Sequence, residues 1–255
     1  MGGATLLLLG GGVLAWGPFG QATEPRVVEL GDVRSVEVAS GSGDVHVRHV
    51  PNAPAHVEEH RSNRWFGQGE TELQHQLNGD ELLLDTKCGW NCTVDYVVTL
   101  PVPVPVSGDL GSGNLEVFGM SSVDADVSSG TMAIRDVGGP VRAHTGSGEI
   151  ELARVSGALD VRTGSGDIEG TDLGGRDVQA RTSSGDVELD LLDPRALDAE
   201  TGSGEVALQV PEEVYQVDSS TGSGDSEIDV RQDPNSPRHL QLSTGSGDIQ
   251  VETED

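Results

Sequence analysis

Apolar and polar residues alternate in short runs along most of this chain, and nearly every run is broken by a triplet of small residues. In Leu159-Asp160-Val161-Arg162-Thr163, then Gly164-Ser165-Gly166, then Asp167-Ile168-Glu169, apolar side chains recur at every second position on either side of the break. Period two is the signature of a strand with one buried face, so each unit predicts strand, tight turn, strand. The triplets begin at Gly41, Gly111, Ser128, Gly146, Gly164, Ser183, Gly202, Gly222 and Gly245, and from Gly111 onward the intervals are 17, 18, 18, 19, 19, 20 and 23 residues. The second triplet residue is Ser and the third Gly in all nine. Four residues after each start stands an apolar side chain, from Val45 and Leu115 through Ile150 and Ile168 to Ile249, with Ser226 the exception. Two residues further on, only Gly170 breaks the set.

A unit of about 18 residues cannot bury an apolar face alone, whereas stacked copies share one continuous core. Stacking sets like strands side by side and parallel, and crossovers between parallel strands are almost always right-handed. The expected fold is therefore all-β: a right-handed parallel β-solenoid with coils of about 18–20 residues. Val, Ile and Leu columns would fill its interior, with a column of Thr and Ser hydroxyls beside the turn. The alternative is an antiparallel meander with glycine hairpins, which would not force identical residues into register.

The repeat lapses over residues 51–100, which are expected to form an irregular β insert capping the N-terminal end. Asn78-Gly79-Asp80 reads as a hairpin turn within it. Pro101-Val102-Pro103-Val104-Pro105 then extends the chain and cannot sit inside a fully paired strand. Residues 23–255 are thus one solenoid domain. Before it, Thr5 to Phe19 is an apolar, Gly-rich run, shorter than the roughly twenty residues a spanning helix needs and without a basic leader. Residues 1–22 are expected to be a signal peptide or membrane anchor lacking its first residues, with a small-x-small cleavage pattern at Gly20-Gln21-Ala22; a buried element of the domain is the alternative.

Composition supports a thin core: 255 residues hold 36 Gly and only eight aromatics. A formal charge of −28 excludes nucleic acid and anionic lipid as partners and favours a self-repelling monomer. Contact with a membrane is expected only through the N-terminal segment.

Candidate chemistry is sparse. Cys88 and Cys92 are separated by three residues and, in an exported protein, predict a local disulfide rather than a zinc site, which would need two further ligands. His56-Val57-Glu58-Glu59-His60 matches a metalloprotease string that works on a helix. The flanking Pro51 and Pro54 and strand-like surroundings instead place His56, Glu58 and His60 on one face of a strand, either chelating a metal or simply solvated. An acidic column follows the third triplet glycine, including Asp167, Asp186, Glu205, Asp225 and Asp248. Either these carboxylates cap backbone N–H groups of their own turns, or they form a Ca²⁺ ladder, the only cofactor the chain suggests. Trp65, Phe66 and Trp90, in the insert, form a candidate binding surface.

The repeated T-G-S-G-D and S-G-D-[IV] pattern, with the segment from Cys88 to Val98 leading into Leu100-Pro101, resembles the bacterial putative-adhesin family of β-strand repeat proteins. That resemblance implies a β-solenoid on the cell surface, often behind an N-terminal membrane segment, and brings no catalytic residues. The expected function is a non-enzymatic, adhesin-like binding module for a surface protein or glycan. A purely structural or envelope-stress protein is the alternative, and a β-helix enzyme acting on polysaccharide a further one, for which no unique carboxylate cluster is seen.

Overall fold

The computed structural model describes residues 26–39, 41–63, 75–87 and 92–253. Among them are 24 strands and no helix, arranged as two 12-stranded sheets. Strands that precede the small triplets form one sheet, the leading sheet, and strands that follow them form the other, the trailing sheet. Successive repeats pair parallel and in register: Ile150 lies against Ile168, Leu159 against Val178, and Thr163 against Thr182. The β-solenoid is thereby established and the meander excluded.

Alternation decides the interior. Leu159, Val161 and Thr163 of the leading strand and Ile168 of the trailing strand are buried, whereas Arg162 and Glu169 point outward. The inward hydroxyl column is present: Thr163 Oγ1 donates to the Gly148 carbonyl at 3.0 Å, Thr182 to Gly166 at 3.0 Å and Thr201 to Gly185 at 2.8 Å. Each buried hydroxyl is thus satisfied by the preceding rung's turn. The third glycine of each triplet answers two demands. Gly166 has φ +137°, and a Cβ there would lie 2.2 Å from the Gly148 carbonyl oxygen. Gly170, the break in the apolar column, leaves space that Leu173 and Leu189 fill.

At the second corner the alternation slips. Asp136, Arg154 and Asp172 adopt φ of +59°, +53° and +55°, and the next residues, Val137, Val155 and Leu173, turn inward. These stacked left-handed residues bend the chain at the corner and bring it round into the next leading strand.

Spatial order departs from chain order at both ends. The last repeat, Gly245 with strands His239–Thr244 and Ile249–Thr253, is inserted between the Gly202 rung and the Gly222 rung. The Gly222 rung, strands Val214–Thr221 and Ser226–Ile228, is therefore the outermost full rung, with the two-residue strand Arg231–Gln232 paired only to its start. There Ser219 and Ser226 occupy inward positions and hydrogen-bond to each other at 3.1 Å, while Leu240, Leu242, Ile249 and Val251 of the inserted rung are buried. The 23-residue interval contains the connection that carries the chain back beneath its own outer rung.

The N-terminal end mirrors this. The Gly41 rung sits between the Gly111 rung and a further rung formed by Glu81–Asp85 and Cys92–Leu100. Antiparallel strands close that end: His56–Asn63 on Cys92–Leu100, Arg26–Glu29 on His56–Asn63, and His75–Asn78 on Glu81–Asp85 through a turn at Gly79, φ +71°. The Pro101–Pro105 run lies between rungs, and Pro105 opens the next leading strand, where a missing N–H is tolerated.

Candidate functional site

The acidic column has a structural occupation. Asp167 Oδ1 accepts the Asp186 backbone N–H at 2.9 Å, Asp186 that of Glu205 at 2.7 Å, and Asp248 that of Asp225 at 2.8 Å. Asn114 does the same for Thr131 with its amide oxygen at 3.0 Å. Capping therefore runs from one rung to the next, not within a turn as expected, because the N–H groups of the stacked turn lie closer to the carboxylate. Among the described residues no group of three His, Cys, Asp or Glu is arranged to hold a metal ion. Glu149, deeper in this column, has its pKa raised, first by burial and then by Glu169, Glu151 and Asp167.

The His-rich string lies on the strand His56–Asn63, so its members alternate between faces. His56 and His60 flank Glu58 outside, at 3.6 and 3.9 Å. Glu59, which the metalloprotease pattern would use as base, faces inward, with Arg61 at 3.1 Å and His75 at 3.3 Å. The buried pair stands near Tyr96, whose pKa is raised by burial and then by Glu59 and Asp85. A strand cannot present the two histidines and that Glu together, which removes the protease geometry. Cys92 is disulfide-bonded, and Cys88 lies outside the described residues. Trp65, Phe66 and Trp90 also lie outside them.

The outer face of the leading sheet carries an arrangement missed at the level of sequence. Pairing lines up Asp124, Arg142, Asp160, Gln179, Asp198 and Gln241 in one row across six strands. Arg142 bonds Asp124 at 2.9 Å, Arg162 bonds Asp160 at 3.0 Å, and Arg181 bonds Asp198. Asp124, then Asp126, raises the pKa of Arg142. His144 stands between Asp126 at 3.4 Å and Asp160 at 3.6 Å. Beside this row runs a groove of about 770 Å³, lined also by the small residues Ser122, Pro140, Ala158 and Ala196. The signal was available, since these are the polar positions between the apolar ones, read down the repeat instead of along it.

Two other surfaces differ in kind. A groove of about 340 Å³ on the trailing sheet is acidic, with Glu169, Glu188, Asp190 and Glu252. A hollow of about 610 Å³ is lined by His49, Pro51, Pro103, Phe118 and Met120, and Phe118 is 47% exposed.

A protein-family model described as Toastrack DUF4097 matches residues 27–254. The chain belongs to the Toastrack DUF4097 family. Membership extends over nearly all of the solenoid and agrees with the resemblance read from its triplets. Among solved structures, the Toastrack chain is similar to a putative adhesin from Bacteroides fragilis, at 13% identity and TM-score 0.54, over 89% of this chain and 96% of that one. A putative adhesin from Parabacteroides merdae is similar at 13% identity and TM-score 0.47, over 90% and 96%. No curated protein matches the chain.

Proposed function

We propose that this Toastrack protein is a non-enzymatic, adhesin-like binding module presented at the cell surface. The observation that carries the reading is the outer face of the leading sheet, where hydrogen-bonding side chains stand in register, one per rung, along a rigid rod. Such a face offers many equivalent weak contacts, which suits attachment to a repetitive surface through multivalency. The name of the Bacteroides fragilis neighbour is in keeping with it. Asp167 and Asp186 are committed to backbone N–H groups, and Asp160 and Asp198 to arginines, an arrangement that favours binding over acid–base chemistry. The apolar run from Thr5 to Phe19 would supply export or anchorage.

The test is attachment. Non-adherent bacteria displaying the full chain are expected to bind glycan- or protein-coated surfaces above the level of cells displaying an unrelated β-rich domain. No gain on any surface would leave the rod as a purely structural component.

A further inference from the structure

The groove on the leading sheet has a form that narrows its ligand, and we propose that it binds a neutral, extended, linear glycan of β-linked pyranoses running along the solenoid axis. This rests on the adhesin-like reading and names its partner class.

Four observations support the assignment. The first is spacing: one hydrogen-bonding group per rung, Asp124, Arg142, Asp160, Gln179, Asp198 and Gln241, at about 4.8 Å between strands. That interval is close to the length one residue adds to an extended β-linked pyranose chain, so each rung meets one sugar, with successive rings presenting alternate edges. Second, the groove is amphipathic. The small residues Ser122, Pro140, Ala158 and Ala196, interrupted by Asp177, let a ring approach with its C–H face down, while the longer polar row reaches the hydroxyls at its edge.

Third, charge points to a neutral polymer. On a chain of net charge −28, three carboxylates of this row are matched by Arg142, Arg162 and Arg181 while Asp177 also lines the groove, so the wall keeps its hydrogen-bonding capacity and stays acidic. A polyanion is repelled by the molecule as a whole, and a polycation has the acidic groove at Glu169, Glu188 and Asp190 as a better partner. Fourth, direction disfavours a peptide. The groove crosses strands that are paired on both sides, so no sheet edge is offered for an added strand.

The experiment is calorimetric titration of the full chain with β-1,4-linked glucose oligomers of increasing length, against α-1,4-linked oligomers, polygalacturonate oligomers and an extended polar peptide. Binding is expected only for the β-linked series, with affinity rising with length until about six sugars span the six rungs, about 24 Å. Ala158→Trp fills the groove at an exposed position and should abolish binding without changing the melting temperature. Gln179→Ala and Gln241→Ala, one hydrogen-bonding group each, should each weaken it roughly fivefold. The proposal fails if no β-linked oligomer binds, if α-linked oligomers, polygalacturonate or peptide bind as well, or if binding ignores both the Trp and the Ala variants. Attachment that persists in Ala158→Trp cells would overturn the groove while leaving the adhesin reading intact. Oligosaccharide binding without any attachment would do the reverse.

Discussion

At the scale of single residues, the columns divide into those that tolerate exchange and those that do not. Gly166 combines positive φ with a carbonyl where its Cβ would sit, whereas nothing lies within 4 Å of a Cβ built on Gly138. Gly166→Ala is therefore expected to destabilise the fold by about 3 kcal/mol or more, and Gly138→Ala by less than about 1 kcal/mol, as read from denaturant midpoints. In the acidic column the acceptor oxygen matters more than the charge, as Asn114 demonstrates. Asp186→Asn should be close to neutral, while Asp186→Ala should cost about 1 kcal/mol by orphaning the Glu205 N–H. Glu149 behaves oppositely to a capping carboxylate. Its folded pKa lies above its unfolded value, so its ionised form destabilises the protein at neutral pH, and that penalty fades as pH falls through the folded value. Glu149→Gln is expected to raise the melting temperature at pH 7 and to remove this gain on acidification.

At the scale of elements, strand identity and register were legible because a buried column and its outward neighbours repeat down the stack. The corners were less legible. Asp136, Arg154 and Asp172 share a left-handed conformation that Asp tolerates and Arg does not favour, and it follows from the need to turn Val137, Val155 and Leu173 inward. The connection after Ile228 is held by Arg238, which donates to Asp193 at 2.6 Å and to the Pro194 carbonyl at 3.0 Å. Arg238 is the main cause of the lowered pKa of Asp193. A depressed carboxylate stabilises the fold fully above its unfolded pKa and loses that contribution as pH falls through its folded value. Arg238→Gln is thus expected to lower the melting temperature at neutral pH, with the difference from the parent narrowing as the solution is acidified. The string at His56 shows the converse lesson. Its spacing matched a helical motif, and strand geometry sent Glu59 to the other face.

At the scale of the molecule, the central problem is how a rod ends. Stacked in chain order, the Gly222 rung would place Ser219 and Ser226 inside the core and leave Leu240, Leu242, Ile249 and Val251 at the open end. Burying such aliphatic side chains is worth about 1.5–3 kcal/mol each, which favours the interleaved order observed. The polar end rung also discourages end-to-end association. Ser219→Leu combined with Ser226→Val should therefore produce concentration-dependent self-association in sedimentation velocity beyond any shown by the parent chain. The sequence alone determined the strands, the glycine turns, the parallel register and the inward columns, because each is a local pattern that stacking only repeats. It even marked the end rung, through the lone Ser226 in an apolar column, without saying that this rung was the end. Which rung lies beside which, where the polar rows align into a groove, and from which turn a carboxylate accepts its hydrogen bond were decided only in three dimensions. Those are relations between segments distant along the chain, and they are settled by which arrangement leaves the least apolar surface and the fewest unpaired N–H groups exposed.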